Sequence, residues 1–140
     1  MADKPFDAQI DAWLLKTANR LEGCTKQATQ LVIREAQRSD DKGGRMRVDT
    51  GFLRNSGKAE IGKLPSGPGE GSKDRQYPED YGQTTATLAR WKIATETLFF
   101  GWTANYALKR EQKDAFVRMA VIQWQKFVDQ ATAEMKRRFR

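Results

Sequence analysis

The segment DAQIDAWLLKTANRLEGCTKQATQLVIREAQR, residues 7–38, contains no proline and opens on Asp7, a residue suited to capping a helix. Its apolar and small residues recur at Ile10, Leu14, Thr17, Leu21, Cys24, Ala28 and Leu31, in alternating steps of four and three. At about 100° per residue these positions share one narrow stripe, widened by Trp13 and Val32, which predicts an amphipathic helix roughly 45 Å long. Such a helix is longer than a small core can cover. Leu15 and Ile33 lie off the stripe yet share one direction, because about eighteen residues complete five turns. A second apolar direction on the same helix predicts contact with a neighbouring subunit.

The other clear amphipathic stretch runs from about Asp114 to Phe139. Phe116, Val117, Ala120, Val121, Trp124, Phe127, Val128, Ala131, Met135 and Phe139 fall within an arc of roughly 140°, with Arg118, Gln125, Asp129 and Lys136 opposite. A face this broad is expected to cover a sheet. Met119 and Ile122 sit outside it and join the candidates for burial between subunits.

Between the helices, SDDKGGRMRVDTG at residues 39–51 has no helical period and must turn. Phe52 to Ile61 alternates roughly and predicts a strand. Residues 62–82 hold five glycines and three prolines, with Leu64, Tyr77 and Tyr81 as the large apolar or aromatic groups. That composition predicts an arm that orders against partners, so Tyr77 and Tyr81 are interface candidates too. From Thr84 to Trp102, TATLARWKI and TLFFGW predict a two-stranded hairpin, although Ala, Leu and Arg also allow a helix in the first half. The order helix, strand, arm, hairpin, helix gives one α+β domain over residues 1–140: a small antiparallel sheet flanked by the two helices.

Composition narrows the chemistry. Of 140 residues, 39% are apolar and 31% charged, a lean core that leaves apolar surface for partners. Lys and Arg outnumber Asp and Glu by 25 to 18, and the net charge of +7 suits a polyanion or an acidic protein surface. The absence of histidine removes Ser-His and Cys-His nucleophiles and every histidine metal site. A single cysteine, Cys24, rules out an intrachain disulfide and a cysteine zinc site, and fits a reducing compartment.

No secretion signal or apolar run of about 18–20 residues is present, so a soluble, cytoplasm-made protein without membrane contact is expected. Asp40 with Asp41, and Glu79 with Asp80, read as solvated charge rather than catalytic pairs. GGRMRVDTG and GPGEGSKD lack the order of a phosphate loop. RWK, Arg90 to Lys92, interleaves an aromatic with basic residues but is equally explained by a half-buried strand. Catalytic residues, cofactors and metals are expected to be absent.

Two further stretches, RVDTGFLRNS at Arg47 to Ser56 and FFGWTANYA at Phe99 to Ala107 followed by FVRMAVIQW at Phe116 to Trp124, resemble a phage family. They are similar to the tail-completion, or head-tail joining, minor tail proteins of long-tailed bacteriophages. The resemblance implies a helix-flanked small sheet in a ring, commonly a hexamer, at the neck or head-proximal tail end. Its expected partners are sister copies, neighbouring connector proteins, and tail-tube or terminator proteins, with packaged DNA nearby and the virion as its location. It also implies that Asp49, Thr50, Gly51, Leu53, Arg54 and Ser56 build the turn after the first helix. There Asp49 and Thr50 would cap, Gly51 would take a positive φ, and Arg54 would reach a carboxylate. Asp49, Thr50 and Arg54 thereby join the interface candidates. Gly101, Thr103, Asn105, Tyr106 and Ala107 would close the last strand. LKREQKD replaces the family's usual phrase before the final helix. Neighbouring alternatives are a tail terminator and, more distantly, a basic nucleic-acid-binding protein.

Overall fold

A computed structural model of the protein describes residues 6–138. Helix α1, Phe6–Ala36, has 31 residues and is therefore about 46 Å long. Asp7 lies in its first turn rather than at the cap, where a carboxylate still meets the positive end of the helix dipole. The chain then makes a 3-10 turn at Asp40–Lys42, closed by the Asp40 amide donating to the Met46 carbonyl at 3.0 Å. Gly44 is required there, since a Cβ would stand 1.9 Å from the Arg38 carbonyl oxygen. The loop drives Met46 into the core and leaves Arg45 and Arg47 exposed.

The remaining elements are α2 (Phe52–Asn55), β1 (Gly57–Ile61), α3 (Gly82–Arg90), β2 (Leu98–Trp102), α4 (Ala107–Asp114), α5 (Phe116–Val121) and α6 (Trp124–Arg138). The fold is α+β as the sequence predicts, with the boundaries moved in three places. The strand expected from Phe52 begins only at Gly57. Ahead of it, Gly51 at φ 87° and the Thr50 hydroxyl, which accepts the Phe52 N–H at 3.3 Å, start a single helical turn.

The expected hairpin is the second correction. TATLAR is helical, as the alternative reading allows, and β2 pairs antiparallel with β1, Ala59 standing opposite Phe100. The other edge of β1 is taken by a side chain. Gln83 in α3 accepts the Ala59 N–H at 3.1 Å and donates to the Ala59 carbonyl at 2.6 Å, as a third strand would. Trp91 closes the turn after α3 by donating its indole N–H to the Glu96 carbonyl at 3.0 Å, so RWK is not a strand.

The third correction is the final helix: the stretch expected from about Asp114 divides into α5 and α6, a separate helix α4 precedes it, and Phe139 lies outside the described residues. Ala115 adopts φ 54°, a left-handed conformation that ends α4. Glu111 of α4 then caps α5, accepting the Val117 and Arg118 amides at 2.7 and 3.0 Å. These are two of the otherwise unpaired N–H groups at a helix start. LKREQKD is thus a helix with a capping role.

The core has two centres. Ala36, Met46, Phe52, Leu53, Ala104, Phe116 and Ala120 form the larger, and Ala28, Phe127 and Ala131 the smaller, with Val32 touching both. Ala36 shares a buried cluster with Ala120, Ala28 shares one with Ala131, and Gly23 stands beside Met135, so α5 and α6 run antiparallel to α1. Replacing Glu111 with Ala is expected to lower stability by about 1–2 kcal/mol in urea unfolding, with Gln in its place losing less. An unchanged midpoint for Glu111→Ala would refute the cap.

Candidate functional site

The two stretches that carry the phage resemblance meet in space. The Thr103 amide donates to the Ser56 carbonyl at 3.3 Å, and the buried Ser56 hydroxyl donates to the Leu53 carbonyl at 2.7 Å. Gly51 takes its positive φ, and a Cβ there would stand 2.3 Å from the Tyr77 carbonyl oxygen. Thr50 contributes its hydroxyl to α2, and Arg54 reaches the Glu79 carboxylate at 3.8 Å with its Nε buried and unpaired. Asp49 forms no cap. It stands near Tyr106, whose phenol is pushed up by burial and then by that carboxylate.

The glycine-rich segment, predicted to be an arm that orders against partners, lies on its own protomer instead. The Tyr77 amide donates to the Thr50 carbonyl at 2.8 Å, and the Tyr77 ring meets Phe52 edge-on with 5.3 Å between centroids. Thr103 donates its hydroxyl to the Pro68 carbonyl at 2.9 Å, and the Asn105 amide donates to Gly69 at 2.8 Å. The backbone groups that made an arm plausible are met by the neighbouring turn.

Tyr81 is likewise engaged within the protomer, under the Arg34 guanidinium at 5.1 Å from its ring centre. Burial first, and then the hydrogen-bonded Glu79 carboxylate, push its phenol up to about 12, while Gln37 and Arg34 act in the opposite sense. Tyr77 and Tyr81, offered by the sequence as interface candidates, are half-buried and hold the loop to the body of their own protomer.

A cleft of about 750 Å³ remains between the turn and the loop, lined by charges of both signs, among them Arg47, Asp49, Arg54, Glu70, Lys73 and Arg110. The Glu35 carboxylate, hydrogen-bonded to Arg38, raises that guanidinium further above its ordinary value. Among the described residues no group of three or more His, Cys, Asp or Glu side chains could hold a metal ion. No helix among them is long and apolar enough to cross a membrane.

What the structure does expose is apolar. From Asp7 to Leu21, α1 runs past its neighbours with Ile10 and Leu14 exposed, and Trp13, Leu15 and Leu21 exposed by 63, 64 and 63%. At the other end of the layer, the bend between α5 and α6 exposes Val121, Trp124 and Ile122, the last by 66%. Leu15 and Ile122 are thus accessible to a partner, and Met119 is half-buried. Ile33 is only 4% exposed and belongs to the protomer interior, which corrects its place among the interface candidates.

The sequence predicts that α1 outruns its cover but names only Leu15 and Ile33 on it as contact candidates; that Ile10, Trp13, Leu14 and Leu21 are the uncovered groups follows from α5 and α6 ending short of the N-terminal half of α1.

A third surface is basic. Arg45, Arg47 and Lys113 border a shallow groove of about 610 Å³ beside the Arg110–Asp114 pair, whose nitrogen and oxygen lie 2.6 Å apart. These three cations make no ion pair among the described residues.

No protein-family model, curated protein sequence or solved structure matches the chain.

The Tyr81 phenol gives the loop contact a pH signature. Its folded pKa is raised above its unfolded value of 10.0, so its contribution is complete below pH 10 and is lost as pH rises through about 12. Unfolding followed between pH 9 and 12 is expected to show this decline, and Tyr81→Phe is expected to flatten it. A Phe variant with an unchanged slope would assign the decline to other groups.

Proposed function

We propose that the protein is a non-enzymatic structural subunit of a ring at the head-proximal end of a phage tail, where it completes the tail and joins it to the head. The observation that carries this reading is the uncovered N-terminal half of α1. Monomers that stay alone seldom leave so many large apolar groups on one exposed helix face. Burying each such side chain is worth about 1.5–3 kcal/mol, ample to drive association.

The motif resemblance adds the phage setting. Its turn and strand-end residues are bonded to one another around Ser56 and Thr103. A tail terminator would use the same exposed faces and is the neighbouring form of the reading.

Light scattering on the eluted protein, alone and mixed with tail tubes, is expected to give a multimer. Trp13→Asp with Leu14→Asp is expected to give a monomer of unchanged helix content by circular dichroism. A wild-type chain that stays monomeric in both settings would remove the ring reading. Particles assembled without the protein should show tails with abnormal ends or heads that leak.

The basic groove favours a second reading, contact with nucleic acid. If Arg45, Arg47 and Lys113 each neutralise one phosphate, duplex affinity falls with salt at a log-log slope of about −2.7. Replacing all three with Gln should abolish that slope. A flat wild-type titration would exclude the groove as a phosphate contact.

A further inference from the structure

The two exposed apolar sets lie at opposite ends of one layer. Gly23 stands beside Met135, and Ala36 packs with Ala120. The bend at Ile122 is therefore near the end of α1, whereas Trp13 lies about 34 Å away along the helix from Ala36. Because α1 is unbroken from Phe6 to Ala36, its free half cannot fold back onto the bend of the same chain.

Resting on the ring reading above, we infer that the free half of α1 in one copy seats on the α5–α6 bend of the next, head to tail. Ile10, Trp13, Leu14 and Leu21, which share one stripe, offer on the order of 400 Å² of apolar surface, at about 200 Å² for a fully exposed large side chain. That is about half of the roughly 800 Å² per partner that a stable interface needs, the polar flanks supplying the rest.

Charge supports a second copy as the occupant. The whole chain carries +7, yet this half-helix is balanced, with Asp7 and Asp11 against Lys16 and Arg20. Like-charge repulsion between copies is therefore weakest here. The bend carries Arg118 and Lys126 beside its apolar groups, basic partners for Asp7 and Asp11.

Symmetry separates this contact from its rival. An isologous pairing of two α1 halves would leave Val121, Ile122 and Trp124 uncovered. A heterologous contact covers both sets at once, and its repetition closes a ring when the rotation per subunit allows.

Mixing two damaged full-length chains tests the pairing. Trp13→Asp with Leu14→Asp removes the helix face, and Ile122→Asp with Val121→Asp removes the bend, each chain keeping the other face. Light scattering should show monomers separately and a dimer on mixing, since each chain then supplies the face the other lacks. In a Cys24→Ser background, Leu14→Cys combined with Ile122→Cys should give an oxidised ladder of oligomers, and neither alone should.

Three results would overturn the inference. They are no dimer on mixing chains of native helix content, self-linking by Leu14→Cys alone, or a wild-type multimer that the bend variant leaves intact. A monomeric wild type would instead remove the ring reading itself, so the two failures are distinguishable.

Discussion

The antiparallel contact of α1 with α6 constrains everything else in the protein. It is close because small residues, Ala28 and Ala131, are fully buried in the cluster between the two helices, and because Gly23 leaves room for Met135. Phe127 fills the space beside them, and Val32 connects this small centre to the larger one around Met46 and Phe116. Packing of this kind fixes the two helices in one register, since a shift by one turn would place large side chains where alanines now meet. The register also determines where cover ends. Past the C-terminal turns of α6 the described residues offer α1 no further cover, and its stripe continues into solvent.

Around that axis the protomer is tied together by backbone groups rather than by a large sheet. Two five-residue strands are marginal alone, and the polar edge of β1 is satisfied by the Gln83 amide. The glycine-rich loop is ordered in the same manner, by donating to or accepting from Thr50, Thr103 and Asn105. Trp102 links the sheet to the end of α1 by donating its indole N–H to Gln37 at 3.0 Å, while its ring meets Phe116 edge-on. The protomer's interior is therefore well occupied with polar contacts, and its unmet demand is apolar and peripheral.

Charge is distributed unevenly over the fold. The net positive charge of the chain is spread over the Met46 loop, α4 and the end of α6, away from the balanced N-terminal half of α1. Alternation in RMR is a direct consequence of the fold, because Met46 must point into the core and its two neighbours must then point out. A basic rim beside a charge-balanced half-helix confines the attraction for anions to the rest of the surface.

Much of this was legible in the residues alone. Periodicity located α1 and predicted that it outruns its cover; the Gly, Asp and Ser residues of 39–51 marked a turn, which the motif resemblance placed at Gly51; the β-branched and aromatic run marked β2. Local patterns suffice there because each depends on neighbours only a few positions away. The division of the last helix, the pairing of β1 with β2, the docking of the loop and the burial of Ile33 were decided by tertiary structure. Ala115 carries no turn signal of its own and bends the chain only because Glu111 can cap the start of α5. The sequence could not show that Tyr77 and Tyr81 dock on their own protomer, because the groups that bind them, Thr50, Phe52, Arg34 and Glu79, are assembled only when the chain closes on itself. Sequence therefore specified which faces are apolar; three-dimensional packing determined which of them a single copy can cover, since cover depends on the length and register of elements remote in the chain.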